Sequence, residues 1–283
     1  MRVRFWGVRG SVAVPNAKML GYGGNTSCVE VTLDDGTRII LDAGTGIREL
    51  AAARSTPHEA SVHVLLTHLH LDHIQGLLFF APLFDPTNEI TVHGPPAPGP
   101  DLDQRLARYL SAPLSPIDLR ELPAQVRFEA CPYGDWDLGS ARIQAAIVAH
   151  RGVTLGYRIT EGDTSLCYIP DHEPALGADL REAAPGWISG IGLAADASAL
   201  IHDGQYTDEE YAAHVGWGHS AASDAVAFAQ RAGARKLILF HHDPGHDDDQ
   251  LDQLRDFARE VADGAGQDPE TVTLASEGTS IEL

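Results

Sequence analysis

Short apolar runs separated by turn residues recur along the whole chain of 283 residues. Val3 to Val8 alternates like an opening strand until Gly7, Gly10 and Pro15 break it into a loop. Cys28–Leu33 and Thr37–Leu41 flank Asp34-Asp35-Gly36, a turn signal that predicts a hairpin. Ile47 to Arg54 starts a helix. The run Val62 to Leu66 places Val62, Val64 and Leu66 on one strand face, and beyond it Ile74, Leu77, Leu78 and Ala81 carry helical spacing. The residues between therefore occupy a strand-to-helix turn, where an α/β sheet presents side chains to an open crevice.

The later runs continue the alternation. Glu89–His93 predicts a strand, and Asp101–Leu110 a short amphipathic helix with Leu102, Leu106 and Leu110 on one face. Residues 111–138 are broken by prolines and read equally as a lid or as an irregular surface excursion. Ile143–Ala149, Thr154–Ile159 and Thr164–Ile169 predict strands. Ser220 or Ser223 is expected to cap a helix carrying Ala222, Val226 and Ala229, which Gly233 ends. Lys236–Phe240 predicts a buried strand, Leu251, Leu254, Phe257, Ala258 and Val261 mark a final amphipathic helix, and Val272–Leu274 suggests an edge strand. Asp247, Asp248 and Asp249 suit that helix's start through its dipole.

The length fits one large α/β domain or two small ones, and with no linker or repeat in view, residues 1–283 are read as a single domain. Hydrophobic content of 43% and 21% charged residues are ordinary. The balance of 20 basic against 40 acidic residues, a formal net charge of -20, is not. It repels long polyanions from most of the surface, and no basic face offers a phosphate footprint. Cys28, Cys131 and Cys167 match no disulfide framework or Cys-x-x-Cys site, so a reducing compartment is expected. The amino terminus enters a strand pattern with no signal peptide, and no apolar run reaches the roughly 18 residues a bilayer span needs. These features predict a cytoplasmic protein with no membrane partner. The sequon Asn25-Thr26-Ser27 is then read as chance. Gly21 to Ser27 lacks the Lys of a phosphate-binding loop and reads as a tight turn.

The chemistry concentrates in Thr67-His68-Leu69-His70-Leu71-Asp72-His73. In a nearly extended segment His68 and His70 project to one side and can converge on one ion, while Asp72 and His73 follow as the chain coils and can face a second. Neutral imidazole and carboxylate are ligands that zinc accepts. Asp42 is either a partner for a ligand imidazole or a helix cap.

This His-x-His-x-Asp-His motif resembles the signature of the metallo-β-lactamase superfamily. The resemblance implies an α/β (α+β) fold, a four-layer αββα sandwich, with a dinuclear site. It also demands a further histidine, a bridging aspartate and a last histidine, in that order. His150 stands at a predicted strand end, and Asp171 directly follows the strand 164–169. A carboxylate has two oxygens and can serve both ions. His202-Asp203, then Gly218-His219-Ser220, then Leu237 to His241 are similar to the corresponding run in ribonuclease Z and the phosphoribosyl cyclic phosphate phosphodiesterases. In that register His241 rather than His242 is the last ligand.

By that resemblance, His68, His70 and His150 hold one divalent ion, Asp72, His73 and His241 the other, and Asp171 both. Zinc is expected, and manganese or iron would also suit the ligands. The catalytic set is His219, Asp203 and Asp72: His219 would stabilise the transition state or protonate the leaving oxygen, with Asp203 orienting it. A capping or core role for His219 is the plainer alternative. Where ribonuclease Z carries a relay glutamate, this chain has the shorter Asp203. His172 and Glu173 are expected either to contact substrate or to be solvated, and His214 has no assigned role. The implied substrate is a small phosphodiester, cyclic nucleotides included. The net charge and the lack of a Gly-rich, basic insertion argue against transfer RNA. A hydrolase of thioesters or lactones is one alternative and a di-iron redox protein another, though no flavin domain accompanies the chain. Nothing fixes the oligomeric state, for which a homodimer is one option.

Overall fold

In a computed structural model describing residues 1–53, 62–132 and 134–283, the apolar runs assemble into two seven-stranded sheets. Strands β1 (Arg2–Gly7), β2 (Cys28–Thr32), β3 (Arg38–Leu41), β4 (Val62–Leu65), β5 (Glu89–Gly94) and β6 (Gln125–Ala130) form the first sheet in chain order. The second contains β7 (Asp135–Leu138), β8 (Ala141–Val148), β9 (Thr154–Glu161), β10 (Thr164–Ile169), β11 (Ala199–Asp203), β12 (Leu237–Phe240) and β13 (Val272–Leu274). The chain ends in β14 (Ser280–Glu282), which returns to the first sheet beside β1. The predicted hairpin is present as β2 and β3, in the register Val31↔Ile39.

The sheets pack face to face over Phe5, Val31, Leu41 and Leu65 from one side and Ile143, Tyr157, Leu166, Ile201 and Phe240 from the other. Their outer faces are covered by helices. Val62, Val64 and Leu66 point away from Leu65, into an outer layer with α1 (Gly46–Ala52), α2 (Leu71–Ile74) and α3 (Leu102–Leu106). A strand buried on both faces is a near-continuous apolar run, which is how this one reads. On the second sheet, α4 (Ile191–Ala194), α6 (Ala222–Ala232) and α7 (Asp248–Gly264) bury Leu193, Val226, Phe228, Leu251 and Leu254 against Leu200 and Leu239. Between α4 and α6, α5 (Asp208–His214) has no buried residue and opens with a capping box of Thr207 and Glu210. This is the four-layer αββα sandwich. Among the described residues no helix is long and apolar enough to cross a membrane.

Several local expectations change. Past the histidine motif the helical spacing breaks into α2 and two 3-10 turns, Leu77–Phe79 and Ala81–Phe84. Gly76 stands between them with its backbone against the Gly44 carbonyl, where a Cβ would lie 2.0 Å from the oxygen. Of residues 111–138, the part up to 124 is irregular with one 3-10 turn, Leu119–Glu121, whereas β6 and β7 beyond it form an edge strand of each sheet. Neither Ser220 nor Ser223 caps α6, whose first flanking residue is Ala221 with no side-chain cap; Gly233 does end it, at φ 70°. Phe257 is 38% exposed on α7, while Ala258 and Ala262 take the buried face. Arg54, at the end of the first expected helix, lies outside the described residues.

Candidate metal centre

The topology delivers the polar residues to one edge. In the first sheet β3 and β4 run parallel with Leu41 beside Leu65, so Asp42 and the Thr67–His73 segment leave side by side. In the second, β10, β11 and β12 run parallel with Ile169 beside His202 and Asp203 beside Phe240. Asp171, Asp203 and His241 therefore emerge from neighbouring carboxyl ends, where α/β sheets place their chemistry.

All seven expected ligands meet there. Ligand atoms of His68, His70 and His150 lie within 4.8 Å of one another, as do those of His68, His73 and Asp171, and those of Asp72, His73 and His241. Asp171 is central. Its Oδ1 is 3.9 Å from His68 Nε2, 3.6 Å from His150 Nε2 and 3.3 Å from His241 Nε2, and its Oδ2 is 3.2 Å from His73 Nε2. Asp72 Oδ2 lies 3.4 Å from His73 Nε2 and 3.2 Å from His241 Nε2. His70 is exposed, so the cluster opens on that side.

An outer ring of acceptors turns four of the imidazoles inward. Nδ1 of His73 meets Asp42 at 2.8 Å, that of His150 the Gly218 carbonyl at 2.7 Å, that of His241 the Gln205 side chain at 2.9 Å, and that of His68 the Thr67 hydroxyl at 3.1 Å. In each the Nε2 is left for the centre, the arrangement metal-binding histidines require. Within the cluster His68 Nε2, His73 Nε2 and Asp171 Oδ2 are buried with no hydrogen-bond partner. Buried polar atoms without partners are costly, and divalent ions between them would relieve that cost. The donor set fits such ions.

The electrostatics of His68, His70, His150 and Asp171 agree. Burial, reinforced by neighbouring imidazoles, holds His68 well below the ordinary imidazole value, and burial also lowers His70 and His150. Burial alone would raise Asp171, but His241, His73 and His68 keep it well below the usual carboxylate range. Neutral imidazole and ionised carboxylate are the protonation states coordination needs. His73 moves the other way, because Asp171, Asp72 and Asp42 outweigh its burial.

Beside the cluster, His219 Nδ1 bonds Asp203 Oδ2 at 2.7 Å. Asp203 is fully buried and also accepts backbone N–H groups from His172, Gln205 and Ser220. Its shorter side chain thus closes the bond without a glutamate's extra methylene. A ligand atom of His219 lies within 4.8 Å of those of His150 and Asp171, and its ring faces His241 at 5.0 Å. Asp203 outweighs the effect of burial and raises His219 to about 9.

Several roles differ from expectation. Asp42 is no helix cap, since α1 is flanked by Thr45; it accepts from Thr67 N–H and the Tyr168 hydroxyl as well as meeting His73. His172 and Glu173 are buried at 0% and 1% and are not solvated. His172 packs on Phe228 and bonds His202, while Glu173 accepts from Gly216, Gly218 and Tyr211 and so pins the loop that carries His219. His242 turns away, to the Ala275 carbonyl.

Three further residues, unmarked in the sequence, support the site. Gln205 orients His241, and Ser11 N–H donates to Asp72 Oδ2 at 2.7 Å. Gly10 packs against His241 so closely that a Cβ would lie 2.3 Å from its Nδ1.

Residues 37–242 match the family described as the beta-lactamase superfamily domain. Among curated relatives, the ribonuclease Z of Haloferax volcanii is 26% identical, the alignment covering 88% of this chain and 87% of that protein. That of Mycobacterium bovis is 30% identical over 77% of this chain and 80% of its own length. The crystal structure of human tRNase Z, short form, shares the fold with a TM-score of 0.67 at 19% identity, covering 100% of this chain and 99% of that one. These likenesses overturn the expectation that net charge argues against transfer RNA. Net charge sums the whole surface, whereas binding samples one site. Here Asp42, Asp72, Asp171 and Asp203 are buried beside imidazoles, and bound cations would reverse the local sign.

Proposed function

This chain belongs to the β-lactamase superfamily, on the branch that includes ribonuclease Z, and is a metal-dependent hydrolase; from that premise we propose that it hydrolyses phosphodiester bonds at a dinuclear centre. His68, His70 and His150 would hold one ion, Asp72, His73 and His241 the other, with Asp171 shared. Imidazole and carboxylate suit zinc, and also manganese or iron. Divalent ions held there would supply acidification of a water and compensation of charge on phosphoryl oxygens.

The observation that carries the reading is the Asp203–His219 pair at 2.7 Å beside that cluster. With Nδ1 committed to Asp203, His219 keeps Nε2 to hold a proton. From there it can stabilise charge gathering on the phosphoryl group or pass the proton to the departing oxygen, and Asp203 stabilises the cationic ring before that transfer. Asp72 has a second duty: Ser11 N–H fixes one of its oxygens and so anchors the loop facing the site.

The relatives' name supports ribonucleic acid, transfer RNA included, as a substrate class beside small linear and cyclic phosphodiesters. The test is a panel of bis(p-nitrophenyl) phosphate, 2′,3′- and 3′,5′-cyclic nucleotides, and a transfer RNA precursor, run beside a thioester and a lactone. Phosphodiester hydrolysis that a chelator abolishes is expected. Turnover of the thioester or lactone alone would refute the reading.

A further inference from the structure

Three aromatic rings lead away from His219. Tyr206 meets it edge-on at 5.9 Å, His214 stacks on Tyr206 at 4.7 Å, and Trp217 stands edge-on to His214 at 4.8 Å. Together with Ser11 and Gln205 they line an open cleft of about 410 Å³ that shares His219 with the metal cluster. Trp217 is 54% exposed.

Its exposure is built rather than incidental. The residues on both sides, Gly216 and Gly218, have φ of 83° and 93° and donate their N–H groups to the Glu173 carboxylate at 2.8 Å each. Arg151 donates twice to the Gly216 carbonyl. At Gly218 a Cβ would lie 2.5 Å from His150 Nδ1, so the loop is pressed against the centre. An open indole held this firmly offers stacking area with little ordering left to lose on binding. The Arg151 guanidinium lies 6.0 Å from the centre of the Trp217 ring, and the acidic residues lining the cleft are Glu210 and Asp243. Their charge disfavours a phosphate there and leaves the cleft to a neutral group.

We propose that Trp217, backed by His214 and Tyr206, is the stacking platform for a nucleobase, so that the phosphate beside His219 is attached to a nucleoside. The substrate is then a nucleotide ester rather than a phosphodiester of simple alcohols, an assignment that rests on the phosphodiesterase reading.

Calorimetric binding to the metal-loaded protein tests it, with a nucleoside monophosphate set against ribose 5-phosphate. The nucleotide is expected to bind on the order of 10- to 100-fold tighter. Trp217→Ala should bring that ratio close to one while leaving metal content and ribose 5-phosphate binding unchanged, and Trp217→Phe should keep most of it. Equal affinities in the parent, or an unaltered ratio in Trp217→Ala, would overturn the platform. Discrimination in a protein that hydrolyses no phosphodiester would refute the phosphodiesterase reading and support the platform. Phosphodiester turnover without discrimination would do the reverse.

Discussion

Asp42 Oδ2 lies 2.8 Å from His73 Nδ1, joining residues 31 apart in sequence at the carboxyl ends of two parallel strands. Asp42 sits at φ 61°, a conformation costly for a non-glycine residue, and the strain is matched by the work its carboxylate does. Asp42→Asn keeps the size but sets an amide against donors from Thr67 and Tyr168. Metal affinity should fall about 10- to 100-fold, read by titration against a competing chelator. Unchanged affinity would mean that Asp42 does not set the His73 tautomer.

His219→Ala should retain its full complement of metal and lose turnover by roughly 10²- to 10⁴-fold. Asp203→Asn should follow it in direction, since an amide cannot stabilise the imidazolium as a carboxylate does. Metal analysis beside steady-state kinetics checks both. Normal turnover in His219→Ala would remove it from the chemistry.

Gly10→Ala probes His241 from behind. The new methyl would fall 2.3 Å from Nδ1 of a ring held by Gln205 on a backbone at φ 60°. Overpacking of this kind costs about 1–3 kcal/mol, so the melting temperature should drop and metal binding weaken together. A variant with unchanged metal affinity would show that the ring has room to move.

Asp224 on α6 gives a pH signature away from the centre. Burial first, then the charges of Asp208, Asp179 and Glu173 against the opposing Arg181, raise its carboxyl to about 6. An acid raised above its unfolded value of about 3.9 stabilises the fold below that value and loses the contribution as pH climbs to about 6. Asp224→Asn should therefore melt higher than the parent at pH 8, by a margin that shrinks at pH 5. A constant margin would contradict the assignment.

How much was legible in the sequence follows from where each signal is stored. His68, His70, Asp72 and His73 sit within one turn, so their spacing alone points to a shared centre. His150, Asp171 and His241 each lie just past an apolar strand, and the superfamily resemblance, which demands a histidine, an aspartate and a histidine in that order, singles them out; their convergence is a product of parallel register. Gln205, Gly10 and Ser11 carry no local mark, because they act on His241 and Asp72 through contacts made only when the sheets pack. The strands β6 and β7 carry little signal because they lie at sheet edges and keep polar side chains: β6 has no buried residue and β7 only Leu138. The capping box from Thr207 to Glu210 was readable and marks α5.

Anomalous X-ray diffraction from crystals of the metal-loaded protein tests the dinuclear centre itself. Two peaks are expected, one about 2.0–2.2 Å from ligand atoms of His68, His70 and His150 and the other from those of Asp72, His73 and His241, with Asp171 reaching both. No metal peak among these side chains, or ions bound elsewhere while the seven stay uncoordinated, would contradict it.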